Sequence, residues 1–464
     1  DLDGTLVNTD TLLESALQLL KRNPLYILLM PLWLRNGKAN LKHEIARRVR
    51  LNVAALPYNS PFVDWLREQR EEGRELVLIS ASNTKVVTDV ADHLQLFSTV
   101  IASDAKNNLS AGRKRQRLEE YYGAGGFDYA GNSNDDLAVW PGCRKAVLVN
   151  TSDSVAARAR HLAAVETSFH SQPNPLRKLL KAMRPHQWSK NSLIFVSILV
   201  SHGYGDSELL TATIVAFIAF CLCSSAVYLI NDMLDLEADR QHSDKKKRPF
   251  ASGQLPLMYG VVATPILLAL SAALAISVGS WFSAVLLIYF ILTLMYSFAL
   301  KRFVLLDVLL LATLYTLRIL AGAVVGESPP SVWLLSFSIF LFTSLALAKR
   351  YAELKAMDPA KSNQVGGRGY QVGDLAIMGQ LGTACGYISI LVLALYIDAP
   401  DIAELYSDQH LMWLLCPLLM YWIGRIWLVA SRGELDQDPV IYATRDRTSY
   451  LVLALGLIIV MAAL

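Results

Sequence analysis

The sequence predicts two unlike parts: a soluble α/β domain over residues 1–170 and, beyond it, an all-α polytopic membrane bundle of about nine helices. Three observations predict this. Of 464 residues, 53% are hydrophobic and only 18% charged, with a mean hydropathy of +0.34, against about 25% charged in ordinary globular chains. The charge is unevenly divided: residues 1–170 hold 21 Lys/Arg and 20 Asp/Glu, about 24%, while residues 171–464 hold 22 and 20, about 14%. The second part also contains apolar runs near the roughly 20 residues that cross a bilayer. This composition excludes a disordered chain, a disulfide scaffold and a nucleic-acid-binding protein with a large basic excess. The net charge of +3 names no partner. Cys143, Cys221, Cys223, Cys385 and Cys416 have no metal-binding spacing and read as small apolar residues of a reducing compartment.

The polar, Pro-rich His170-Ser-Gln-Pro-Asn-Pro175 opens a linker and interfacial segment over 171–190. The membrane part then spans 191–464, with apolar runs near 192–203, 209–230, 257–278, 281–299, 303–325, 331–348, 374–397, 409–430 and 449–464. Twenty Lys/Arg lie in 177–190 and in the loops after runs two, four, six and eight; the loops on the other side hold none. Cytoplasmic loops carry such an excess, so the expected location is the inner (cytoplasmic) membrane, multi-pass. The soluble domain and the even-numbered loops then face the cytoplasm. Trp188, Trp281, Trp333 and Trp413 suit an interfacial belt.

The soluble part opens Asp1-Leu-Asp3-Gly4-Thr5-Leu6. Two carboxylates two residues apart suit phosphoryl transfer, one attacking phosphorus and the other moving protons. Glu75-Leu-Val-Leu-Ile79 reads as a buried strand ending at Ser80, whose hydroxyl suits a phosphate oxygen. Lys114 is the candidate that neutralises the phosphate. Phe127-Asp-Tyr-Ala-Gly131-Asn132-Ser-Asn-Asp135-Asp136 reads as a strand leading to an acidic loop, whose oxygen ligands suit Mg2+.

In that order, these motifs resemble the haloacid dehalogenase-like (HAD) phosphohydrolases. The resemblance implies a Rossmann-like parallel sheet with a helical cap. It implies Asp1 as nucleophile and Asp3 as acid/base, with Ser80 and Lys114 on phosphate and Lys106 the weaker lysine. Asp1, Asp3, Asn132 and Asp136 are then the Mg2+ set. Asn132 stands where the family usually has Asp, and the apolar strand that normally precedes the first Asp is not in the sequence, which therefore reads as N-terminally truncated. Leu25–Leu34 is apolar but too short to span. It is expected to be a buried cap helix, with a cap resting on the bilayer as the alternative.

At the end of the second apolar run stands Asn231-Asp232-Met-Leu-Asp235-Leu-Glu-Ala-Asp239-Arg240. Residues 231, 235 and 239 form one stripe on a helix. Carboxylates so close repel one another unless a hard cation that also accepts diphosphate oxygens, Mg2+, neutralises them. The segment leads into Lys245-Lys-Lys-Arg248-Pro249-Phe-Ala-Ser-Gly253. For Lys245–Lys247, topology and anionic lipid headgroups explain the charge as well as a site does.

This run resembles the UbiA superfamily of intramembrane prenyltransferases. The resemblance implies Asn231, Asp232, Asp235 and Asp239 as metal ligands, with Asp232 and Asp235 catalytic and Arg248 on the donor. Where prenyl diphosphate users usually carry a second Asp-rich motif, this chain has Ala348-Lys349-Arg350-Tyr351-Ala-Glu353-Leu-Lys355, a loop suited to binding an anion directly. With Arg184-Pro-His-Gln-Trp188-Ser-Lys190 and Tyr296-Ser-Phe-Ala-Leu-Lys301, it is similar to the phosphoribosyltransferase branch of the superfamily. That branch moves 5-phosphoribose from phosphoribosyl diphosphate (PRPP) to a polyprenyl phosphate lipid. Lys190, Tyr296, Lys301, Lys349, Arg350 and Tyr351 are then the substrate set.

The expected protein is a bifunctional enzyme of cell-envelope biosynthesis with Mg2+ in both domains. The HAD domain would dephosphorylate the transferase product. One alternative is a prenyltransferase joining a prenyl diphosphate to an aromatic or other small acceptor. Another is a non-catalytic membrane scaffold with a regulatory HAD module.

Overall fold

The computed structural model describes residues 1–170, 174–326, 331–357, 369–399, 406–435 and 439–464. The basic loop after residue 355 falls partly at 358–368, outside the described residues. The first helix starts where Asp10 can cap it: the Asp10 carboxylate accepts from Leu13 N at 2.9 Å, and α1 runs Thr11–Arg22. Helices α2 (Tyr26–Arg35) and α3 (Lys38–Arg48) follow, then α4 (Ser60–Glu71). Strand β1 (Val77–Asn83) leads into α5 (Thr84–Leu94) and β2 (Thr99–Ser103). After α6 (Gly112–Tyr122) come β3 (Tyr129–Gly131), β4 (Lys145–Val149), α7 (Asp153–Leu162) and β5 (Ala164–Phe169).

Pairing among the five named strands is parallel, as strands alternating with helices require, but it forms two sheets, β1-β2 and β3-β4-β5. A cavity of about 290 Å3, lined by Leu76, Leu78, Phe127 and Tyr129 with Asp1 at its wall, lies beside both β1 and β3. Strand β1 does not end at Ser80, as its apolar run suggested. It continues to Asn83, carried by buried Ser82 and Asn83.

The expectation of a buried cap helix at Leu25–Leu34 is corrected. Helix α2 buries no residue, and Leu25 and Leu28 are more than 65% exposed. Only Tyr26, Met30 and Trp33 pack, against Leu19, Ile45 and Val49. An apolar run of ten residues gives no period from which to tell the packed face from the open one.

Among the described residues, seven helices are long and apolar enough to cross a membrane: Ser207–Leu234, Leu257–Val278, Ser280–Phe298, Leu306–Val325, Val332–Lys355, Val372–Ile397 and Gln409–Arg432. They coincide with the seven middle apolar runs. The first expected span contains only the six-residue helix Phe195–Val200, because Pro185–Ile194 is wound as tighter 3-10 turns. The last is a 17-residue helix, Arg447–Ala463. The protein is an integral membrane protein.

The chain folds as two compact units, Asp1–Pro185 with Tyr228–Ile266, and His186–Val227 with Leu267–Leu464. The acidic segment 231–239 thus packs in the same unit as the N-terminal domain. In the other unit, Gly322 faces backbone: a Cβ there would lie 2.0 Å from the Ile194 carbonyl oxygen. Neither backbone can yield cheaply, so Gly322→Ala is expected to destabilise that unit by about 1–3 kcal/mol, read as a lower melting midpoint in detergent.

Candidate functional site

Three clusters gather the candidate residues. The first lies around the opening aspartates. Lys114, one of the two buried residues of α6, brings its ammonium 2.9 Å from Asp1 and 3.9 Å from Asp136. Asp136 accepts from Tyr129 Oη at 2.8 Å, Asn132 N at 2.9 Å, Ser133 N at 2.9 Å and Ser133 Oγ at 3.1 Å. Burial alone would raise the Asp136 carboxyl; the Lys114 charge and these donors outweigh it and hold it below the ordinary range. Burial pushes Lys114 below the usual lysine value, with Asp136 and Asp3 opposing. Burial, then the Asp136 charge, raises the Tyr129 phenol well above its ordinary value.

Asp3 is held from the other side, by Thr11 N at 2.8 Å and by Ser82 Oγ at 2.5 Å. Ser80, the hydroxyl chosen from the sequence, is fully buried and accepts from Ser82 N at 3.0 Å. Ser82, two residues further along β1, reaches the acid; the period-two alternation of a strand carried that signal. Lys106 is exposed in the turn after Asp104 and is not brought to Asp1. Lys42, which sequence reasoning missed, donates to Ala81 O at 2.6 Å and Asn108 Oδ1 at 2.9 Å, and burial lowers its ammonium.

These residues fit a metal only in part. Asp136 is committed to four donors and an ammonium, and Asn132 is neutral. Asn132 does lie against the Asp3-Gly4 turn, since a Cβ on Gly4 would meet its Nδ2 at 2.0 Å.

The second cluster is the acidic segment. Helix α10 (Ser207–Leu234) stops before Asp235, and α11 (Leu236–Gln241) resumes after it. The single stripe expected over 231–239 is therefore broken at Asp235. The i, i+4 spacing survives in the backbone, with Asp235 N to Asn231 O at 2.9 Å and Asp239 N to Asp235 O at 2.8 Å. Asp232 Oδ1 accepts from Arg184 and, at 3.1 Å, from Arg248. Arg248 also meets Asp239 at 2.6 Å, and Lys21 meets Asp235 at 2.7 Å. Burial raises the Asp239 carboxyl and Arg248 opposes it.

Among the described residues, no three acidic, His or Cys side chains converge on one point. Each carboxylate is drawn to a basic partner: Asp232 to Arg184 and Arg248, Asp239 to the same Arg248, and Asp235 to Lys21. Two oxygens remain: Asn231 Oδ1 and Asp232 Oδ2 are buried without a hydrogen-bond partner. Orphaned acceptors of this kind suit a hard cation, so the residues here fit the expected metal. Arg184 was missed as a site residue. It caps α8 (Pro175–Met183) in a left-handed turn, φ +55°, and stacks over Tyr228 at 5.1 Å.

The third cluster lies in the other unit. Arg350 is almost fully buried and gives Nε to Asp307 at 2.7 Å, Nη1 to Glu353 at 2.8 Å and Nη2 to Tyr296 Oη at 3.0 Å. Tyr370 Oη donates to Asp307 at 2.5 Å. Arg350 and Tyr296 are thus brought together, but around a buried carboxylate. Tyr351 packs edge-on against Trp427 at 5.8 Å. Lys190 lies over the Tyr315 ring at 5.6 Å. Lys301 and Lys349 are half-buried in the turn Leu300–Arg302 and near the end of Val332–Lys355.

Comparison with known proteins agrees with this division. The family model for the UbiA prenyltransferase family matches residues 192–448, and that for haloacid dehalogenase-like hydrolase matches residues 1–139. An uncharacterized protein of Sinorhizobium fredii is 36% identical over 98% of this chain and 88% of its own. Nodulation protein NoeC of Azorhizobium caulinodans is 34% identical over 62% of this chain and 94% of its own. The decaprenyl-phosphate phosphoribosyltransferase of Mycolicibacterium smegmatis is 35% identical over 41% of this chain and 64% of its own. A UbiA homolog from Archaeoglobus fulgidus, solved bound to GPP and Mg2+, aligns with a TM-score of 0.47 and 19% identity over 61% of this chain and 99% of that one. With a family model matching more than half of its residues and a 36% identical relative along nearly all of it, the chain belongs to the UbiA prenyltransferase family and carries an N-terminal haloacid dehalogenase-like domain.

Proposed function

We propose that the chain is a Mg2+-dependent transferase that moves 5-phosphoribose from PRPP to a polyprenyl phosphate, and that its HAD domain, residues 1–170, removes a phosphate from the product. One observation carries this: two arginines converge on Asp232 while Asp232 Oδ2 and Asn231 Oδ1 stay buried and unpartnered beside Asp235 and Asp239. Such a site offers acidic oxygens to a cation and guanidinium groups to an anion, the pair of demands made by a metal-bound diphosphate. The similarity to decaprenyl-phosphate phosphoribosyltransferases supports the choice of donor.

In this reading Asn231, Asp232, Asp235 and Asp239 hold Mg2+, which stabilises charge on the departing diphosphate when bound. Arg184 and Arg248 orient the acidic oxygens and meet the diphosphate. Lys190, Lys301 and Lys349 are the proposed phosphate-binding cations of the other unit. A lipid phosphate oxygen forms the bond to the anomeric carbon as the bond to the diphosphate oxygen breaks, and its electron pair leaves with the diphosphate. A phosphate monoester is already ionised at neutral pH, so no strong base is needed. In the HAD domain Asp1 is the nucleophile, Asp3 the acid/base, and Lys114 with Ser80 or Ser82 holds the phosphate. Acidic segment and soluble domain face the cytoplasm at the inner membrane.

A second reading, transfer of a prenyl group from a prenyl diphosphate, gains from one observation. The Arg350 fork is engaged by Asp307, Glu353 and Tyr296, which removes one cation from the anion-binding loop. Incubating membranes with labelled PRPP, or with labelled prenyl diphosphate, separates the two. We expect Mg2+-dependent lipid labelling from PRPP. Transfer from the prenyl diphosphate and none from PRPP would overturn the proposal.

A further inference from the structure

Helix α1 belongs to the HAD domain by sequence, yet it carries three residues directed at the acidic segment of the transferase. Glu14, Gln18 and Lys21 are spaced i, i+4, i+7 and so share one helical face. Their partners run in the opposite order: Arg240, Glu237 and Asp235.

Glu14 and Arg240 form a two-pronged pair, with Arg240 Nη2 to Glu14 Oε2 at 3.0 Å and Nη1 on Oε1, both side chains 7% exposed. Thr9 Oγ1 donates to the same Glu14 oxygen at 3.0 Å, and Arg240 Nε donates to Ala251 O at 3.0 Å. A bidentate guanidinium–carboxylate pair fixes orientation as well as distance. Gln18 Nε2 donates to Glu237 at 3.0 Å, and Lys21 Nζ lies 2.7 Å from Asp235.

A separate contact closes the same face. Gly253, at φ +70°, lies so near Asn8 that a Cβ would stand 2.7 Å from the Asn8 Cβ and 2.8 Å from its carbonyl oxygen. The first turn of α1 meanwhile holds the other site: Thr11 N donates to Asp3, and Thr11 Oγ1 lies 2.9 Å from Ser82 Oγ.

We infer that α1 supplies positioning residues to the transferase's cation site: Glu14 fixes Arg240, and through it the neighbouring Asp239, while Lys21 neutralises Asp235 where a divalent cation would otherwise draw on it. The inference rests on the assignment of 231–239 as metal-binding. Independent support for a cation there is the buried, unpartnered Asp232 Oδ2 and Asn231 Oδ1. The two contacts act in opposite senses. Glu14 holds the segment in a binding shape, whereas the Lys21 charge competes with an incoming cation.

The test is Mn2+ binding to the full chain in detergent, followed by electron paramagnetic resonance. An Asp232→Asn variant subtracts any Mn2+ held by the N-terminal aspartates. Lys21→Met is expected to tighten Mn2+ binding by about three- to tenfold, since removing one charge close to the site relieves that much repulsion at surface dielectric. Glu14→Gln is expected to weaken it by a similar factor. A general loss of structure would weaken both variants and could not produce opposite signs. Lys21 is partly exposed, so its substitution leaves the fold intact even if Glu14→Gln does not. Binding in the wild type with Lys21→Met unchanged within twofold overturns the inference alone. A wild type that holds no more Mn2+ than Asp232→Asn overturns it together with the metal assignment.

Discussion

Asp232→Asn is expected to cut Mg2+-dependent lipid labelling by about 100-fold or more, the scale seen when one preorganised charged contact is removed from a transition-state site. The substitution is chosen because it changes little else. Asn has the same shape and keeps Oδ1 as an acceptor for Arg184 and Arg248. What it replaces is Oδ2, which is buried and accepts no hydrogen bond in the folded chain. An amide NH2 in that place cannot ligate a cation, and one negative charge disappears from between two guanidinium groups. Initial rates with labelled donor and a melting curve on the same preparation separate chemistry from folding. Labelling within about twofold of wild type would remove Asp232 from the site. Asp235→Asn is expected to act in the same direction; Asp235 is more exposed and already shared with Lys21.

Much of this was legible in the sequence, for identifiable reasons. The seven middle spans were readable because apolar length is a local property. Asp1, Lys114 and Asp136 were readable as partners because the spacing of whole motifs encodes the order of elements around a parallel sheet. The misses share a different cause. Ser82 was passed over because the apolar run of β1 ends at Ile79, four residues before the strand does. The break at Asp235 coincides with a partner no local pattern announces, Lys21, 214 residues away. Arg184 and Arg240 read as topology charges, since nothing local marks them as partners of Asp232 and Glu14. The short first helix is set by Pro185 and by Asn191, whose amide is held by Ser224 at 3.3 Å and whose oxygen takes Arg318 Nε at 2.8 Å. Such polar contacts across helices are invisible to a hydropathy window.

Arg350 shows most sharply how a charge pattern and a structure diverge, and it yields the second large effect. Read along the chain, Lys349-Arg350 is a basic pair in a loop suited to an anion. In the fold, Arg350 is 1% exposed and Asp307, 43 residues earlier, is fully buried against it. Arg350→Met is expected to cost about 3–5 kcal/mol, because it leaves the Asp307 carboxylate buried without its charge partner. The double variant Arg350→Met with Asp307→Leu should recover most of that loss, since paired removal of buried charges is often neutral. Melting midpoints of the three proteins in detergent give the answer. If Arg350 instead served chiefly to hold substrate phosphate, the single variant would melt like wild type and lose only activity. A destabilised single variant with a restored double variant identifies Arg350 as part of the framework that places Tyr296. It would also leave Lys190, Lys301 and Lys349 as the candidates for the phosphate contacts proposed above.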